Sequence, residues 1–147
     1  MRKVIVIYIA CVALFMANCK QSAQDSKLPA DFVTFYKKFH EDSLFQMEHI
    51  IFPLPGIPDN IGAKNIDLDT FKWHPQDWVM HHMFDTGDSV FVREVNVITP
   101  DMIEEIFHTK DDGFAMFRRF AKVSGDWKLI YYAGMNKVKS EAKKDSI

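Results

Sequence analysis

The chain has 147 residues, with 18 Lys and Arg against 20 Asp and Glu, a net charge of −2. That balance supplies no basic face for phosphates and argues against nucleic acid as a partner. The only cysteines, Cys11 and Cys19, fall at the N-terminus, so the rest of the chain holds no disulfide, cysteine nucleophile or cysteine-ligated zinc.

Arg2 and Lys3 precede Val4 to Ala17, an uncharged and almost wholly apolar run of about 14 residues. A membrane-crossing helix needs about 20, so the pattern predicts a cleaved signal over residues 1–18. Cys19 directly follows Met16-Ala17-Asn18. This resembles a bacterial lipobox, in which the cysteine becomes the first residue of the mature chain and carries a lipid. Met16 stands where the strict pattern has Leu and Asn18 where it has Gly or Ala, as in the relaxed lipoboxes of Bacteroides-type bacteria. The resemblance implies Cys19 as the lipidation site and the membrane as a partner through that lipid. It also implies a cell-envelope location, at the periplasmic face or the surface. The alternative is an ordinary signal peptide followed by an incidental cysteine. Cleavage leaves 16 basic against 20 acidic residues, in a length suited to one domain.

Residues 19–28 are mostly polar and lack aromatics, and they read as a tether. Pro29 and Asp31 then mark a helix start, and Phe32, Phe35, Tyr36 and Phe39 form one apolar stripe. The spacing predicts an amphipathic helix over 30–41. Ser43 to Gln46 fits a capping box opening a short second helix. Ile50 to Phe52 favour a strand, and Pro53, Pro55, Gly56, Pro58 and Gly62 predict a long turn. Ile66 to Trp73 alternates as a further strand. From Trp78 onward the composition is β-type: 78–84, a turn at Asp85-Thr86-Gly87-Asp88, a Val-rich strand ending at Pro100, and a strand over 102–109. Two final strands are joined by Ser124-Gly125-Asp126, a hairpin signal. The domain spans 29–136, and the lysine-bearing end, 137–147, reads as a polar tail.

Helices first and strands after predict an α+β fold. That order, closing on Gly125 to Tyr132 (GDWKLIYY), resembles the nuclear-transport-factor-2-like, or cystatin-like, superfamily. The combination DFVTFYKKFHEDSLFQMEHIIFPLPG with terminal WKLIYY behind a lipobox is similar to a family of Bacteroides-type lipoproteins, domain of unknown function 4348. The resemblance implies a long N-terminal helix packed in a strongly bent antiparallel sheet, a cone-like fold with a pocket. It implies no activity, because that superfamily hosts isomerases, dehydratases, carriers and adaptors.

His74, Asp77, His81, His82 and Asp85 lie within 12 residues and suggest a metal. On a strand, however, His81 would share a face with Val79 and Met83, and His82 with Trp78, Met80 and Phe84, so the two could not bind one ion. No metal and no cofactor is expected. Asp85-Thr86-Gly87 matches the core of retroviral-type aspartic proteases, but Asp88 stands where that family has a small residue, and a tight turn is the simpler reading. His40 sits where it can meet the carbonyls ending the first helix.

Possible pocket residues are the polar and aromatic side chains set among apolar neighbours. They are His49 beside Met47 and Ile51, Glu94 beside Val92, Asn96 and Ile98, and Arg118 beside Met116 and Phe120. Tyr131 lies beside Trp127 and Leu129, and Trp73, Trp78 and His81 complete the set. The plainer reading is that such strand positions face water and that the aromatics are core. No catalytic residue stands out. The expectation is a lipid-anchored envelope protein acting as a non-enzymatic binding or interaction module. A small apolar ligand, a protein partner or a second copy in a homodimer would occupy it. The rival is a small acid–base enzyme of isomerase or dehydratase type using the same cavity.

Overall fold

The computed structural model describes residues 28–63, 66–84 and 90–138. Cys19, the proposed signal and tether as far as residue 27, the Asp85–Asp88 turn and the tail beyond 138 lie outside the described residues. Among those described, no helix is long and apolar enough to cross a membrane.

Helix α1 runs Ala30–Glu41 and buries Phe32, Phe35, Tyr36, Phe39 and His40, so the apolar stripe selects its buried face. At 12 residues it makes little more than three turns and is not the long helix expected. Helix α2, Ser43–Glu48, follows directly. Asp42, rather than Ser43, caps it by accepting from Leu44 N and Phe45 N at 3.0 Å. Gln46, expected to close the capping box, turns into the core instead.

The strands are β1 (Leu54–Ile57), β2 (Lys72–Trp73), β3 (Phe91–Thr99), β4 (Met102–Thr109), β5 (Phe114–Val123) and β6 (Asp126–Lys137). They form one open sheet in the order β2-β1-β6-β5-β4-β3. The sheet is mixed rather than wholly antiparallel, because β1 runs parallel to β6. The chain is therefore α+β, as its element order indicated. Strand β1 lies within the proline-rich stretch expected to be a turn. The run 78–84, expected as a strand, is an irregular strap.

Beneath α1, Phe39 and Phe120 meet edge to face at 5.6 Å, and Phe32 meets Phe120 at 5.5 Å and Trp127 at 4.9 Å. Ile103, Phe107 and Leu129 complete this floor, all wholly buried. Each such side chain contributes about 1.5–3 kcal/mol on burial. The β5–β6 hairpin turns on Ser124 and Gly125, both at positive φ (53° and 91°), as a two-residue turn of the primed type demands.

Two register shifts in the β5–β6 pairing, at Arg119/Phe120 and Ala115/Phe117, insert extra residues on β6. The first makes Ile130 the unpaired residue. Trp127 and Leu129 point inward before it; Tyr132 points inward after it. A one-residue bulge thus reverses the side chains between it and the second shift.

Gly56 lets β1 approach β6: a Cβ there would lie 1.8 Å from the Tyr132 carbonyl oxygen. Gly56→Ala is expected to lose about 2–4 kcal/mol of unfolding free energy. Gly62→Ala, with nothing within 4 Å, should stay near wild type in the same urea titration. Equal stability of the two variants would contradict the pairing.

Candidate functional site

The side chains of interest gather where α1, the strap and strands β3, β4 and β5 converge. On β4 the alternation buries Ile103, Glu105 and Phe107 together, placing a carboxylate that is 1% exposed among apolar rings. Such a charge persists only if paired and hydrogen-bonded. Glu105 Oε1 accepts from Tyr36 Oη at 2.5 Å and Arg93 Nε at 2.6 Å. Its Oε2 accepts from Arg118 Nε at 2.7 Å and lies 2.6 Å from Arg118 Nη2.

Arg118 is also 1% exposed, and its planar fork joins four elements. Beyond Glu105, Nη2 donates to Tyr36 Oη at 3.3 Å. Nη1 donates to His40 Nε2 at 2.9 Å and His81 Nδ1 at 3.3 Å. His40 Nδ1 in turn donates to the Tyr36 carbonyl at 2.7 Å, so His40 does meet a helix carbonyl, but as a neutral ring. The Arg93 guanidinium lies over the Tyr36 ring at 4.7 Å.

Gln46 fixes the strap to this assembly. Its amide donates to the Phe39 carbonyl at 2.6 Å and the His81 carbonyl at 2.7 Å. Its oxygen accepts from Trp78 Nε1 at 3.0 Å and His81 N at 2.9 Å. Trp78 and His81 therefore turn inward together, their rings 4.5 Å apart. This corrects the alternation expected for a strand, which placed them on opposite faces.

The electrostatics follow from these contacts. Burial opposes ionisation of Glu105, but Arg118, then Arg93, with the Tyr36 and Arg93 hydrogen bonds, hold its carboxyl below the usual range. Burial first, then Arg118, lowers His40 to about 4 and His81 to about 2. Burial raises Tyr36, so its hydroxyl keeps its proton. The cluster thus holds a carboxylate between two guanidiniums, with two neutral imidazoles and a phenol closing the remaining bonds.

Beside it lies a cleft of about 290 Å³. Val33, Tyr36 and Lys37 of α1 form one wall, Met83 and Phe84 of the strap another, and Arg93 and Phe107 the sheet side, with Leu28 at the margin. Of the residues anticipated as pocket-forming, none lines this cleft. Arg118 lies behind it and His81 pins the strap that bounds it.

The other anticipated residues separate. Trp73 and Trp78 pack against Tyr132 at 5.2 and 5.3 Å, and Trp73 Nε1 donates to the Tyr132 carbonyl, so they form core, not cavity lining. Glu94 is on the outer side of β3, 55% exposed, with His108 Nε2 at 3.5 Å. Tyr131, reversed by the bulge, packs against Phe117 at 5.7 Å outside. His49 stacks on Phe45 at 3.7 Å and borders a separate surface hollow with Thr34 and Lys38. Among the described residues, no group of three His, Cys, Asp or Glu is placed to hold a metal.

Sequence reasoning missed Tyr36, His40, Gln46, Arg93 and Glu105 as site-forming residues. Alternation could have found two: Glu105 falls between Ile103 and Phe107, and Arg93 between Phe91 and Val95, both on apolar faces. Nothing local marked Gln46 as part of the site, because its partners are 7, 32 and 35 residues away. No protein-family model matches the chain, and no curated protein matches it.

The depressed imidazoles make stability fall with acid. Between pH 6.5 and about 4 the unfolded chain binds protons at His40 and His81 that the folded chain refuses. Stability present above pH 6.5 is therefore lost at up to ~1.4 kcal/mol per pH unit for each ring. His108 acts oppositely: burial lowers it, but the bonds to Thr109 and Asp112 and the Glu94 charge outweigh this, so its contribution fades as pH rises. Comparison with His40→Gln isolates the buried ring. The variant should show a slope shallower by nearly one proton in urea titrations between pH 6.5 and 4.5. Identical slopes would contradict a neutral His40.

Proposed function

We propose that this protein is a lipid-anchored envelope protein whose domain acts as a binding module for a small, mainly apolar ligand. On this reading residues 1–18 are the signal, Cys19 carries the lipid, and the domain is a cone-like member of the nuclear-transport-factor-2-like superfamily. It would fall within the Bacteroides-type lipoprotein family named above. The α+β order and the packing of α1 on one sheet face support the superfamily reading, and the residues around Cys19 support the anchor.

The observation that carries the binding reading is the cleft between α1, the strap and the sheet. Its volume of about 290 Å³ lies just below the range of roughly 300–1,000 Å³ for small-molecule sites, and apolar side chains with few polar groups form most of its wall, as in such sites. The rival enzyme reading draws on Tyr36 and Arg93, which reach both the cleft and Glu105. Acid–base work needs a group free to exchange a proton near neutral pH. Glu105 is held ionised, Tyr36 protonated and His40 and His81 neutral, so the geometry favours binding over proton transfer.

Native mass spectrometry of the full chain, released gently from its own host's membranes, tests this reading. A bound small molecule lost on denaturation is the expected result. Val33→Trp should abolish it, because Val33 borders the cleft yet is 42% exposed, which lets the larger ring enter without disturbing the core. Retention of the ligand by that variant would place the site elsewhere.

A further inference from the structure

We infer that the cleft takes an amphiphile with an anionic head, of the class of small hydrophobic carboxylates, and that Lys37 selects for the charge. This rests on the binding reading above and adds the chemistry of the ligand. The charged side chains in the cleft wall are Lys37 and Arg93, and no carboxylate is among the lining residues. Glu105, behind the wall, has both oxygens taken up by Tyr36, Arg93 and Arg118, so it does not oppose an incoming anion.

Lys37 differs from the other cation. Arg93 is tied to Glu105 and to the Tyr36 ring and is a fixed part of the wall. Lys37 is exposed on α1 and has no ion-pair or hydrogen-bond partner among the described residues. Its four-carbon stem can lie along apolar surface while the ammonium stays wet at the rim. An apolar body placed among Met83, Phe84 and Phe107 would leave its polar end at that rim. A volume of about 290 Å³ exceeds the roughly 150 Å³ that holds benzene, so one ring with a short chain fits. An exposed ion pair contributes about 0.2–1 kcal/mol, which corresponds to up to about fivefold in affinity. The charge therefore tunes selection while the apolar wall supplies most of the binding.

The test uses the full chain in phosphatidylcholine nanodiscs, labelled at methionine methyls, with the Met83 resonance assigned through Met83→Leu. 4-Phenylbutyrate and 4-phenylbutanol, alike except for the charge, are titrated separately. The expected result is a saturable Met83 shift with both, tighter for the carboxylate by up to about fivefold. Lys37→Gln, an exposed change that leaves the core untouched, should remove that preference. Equal affinities for the two probes, or a preference that survives Lys37→Gln, overturn the inference while the cleft stands as a binding site. No Met83 shift with either probe overturns the binding reading and the inference together.

Discussion

A carboxylate sealed among phenylalanine rings is the constraint that organises this molecule. Glu105 sits on β4 between two wholly buried apolar neighbours, and an unpaired charge there would cost several kcal/mol. Arg118 meets it from the adjacent strand, where the β4–β5 register sets the two residues directly opposite. The remaining donors of the same guanidinium reach α1 through Tyr36 and His40 and the strap through His81. A lysine could not replace it, because a point charge has no planar fork to hold four partners in one geometry. One side chain thus joins helix, strap and sheet, and the position of the cleft follows from where those three meet.

The neutrality of His40 and His81 belongs to the same arrangement. Two cations already flank Glu105, so a third charge would be repelled, and burial adds to that penalty. The imidazoles therefore serve as acceptors for Arg118, which fixes their tautomers. Gln46 completes the attachment of the strap by pairing with both backbone groups of His81, giving an irregular segment the hydrogen bonds a strand would have supplied. Met83 and Phe84 follow directly, which carries the polar network into the shape of an apolar site.

Local pattern made much of the fold legible. The Phe32-Phe35-Tyr36-Phe39 stripe gave the first helix its limits, and the Ser124-Gly125 turn and the alternation from Phe91 onward located four strands. What stayed hidden depended on distant contacts. Pro55 and Gly56 read as a turn, yet lie in a strand because β6 offers a parallel edge that only Gly56 can approach closely. Tyr131 read as inward-facing by simple alternation, and a bulge at Ile130, which no local residue announces, reversed it. The strap read as a strand because its apolar residues suit one, whereas Gln46 and Arg118 together hold it in another form. The candidate site suffered most: Arg118 was visible as a charge on an apolar face, but its partners come from three separate stretches of chain.

The Glu105–Arg118 pair is the structural joint of the domain. The most direct measurement is the unfolding free energy of Glu105→Leu, Arg118→Met and the double variant Glu105→Leu/Arg118→Met. Removing Glu105 alone takes the counter-charge from the buried Arg118 guanidinium and should cost about 3–5 kcal/mol, and the double change should cost clearly less than the sum of the two single changes. A loss below about 1 kcal/mol in Glu105→Leu, or strictly additive losses, would contradict it.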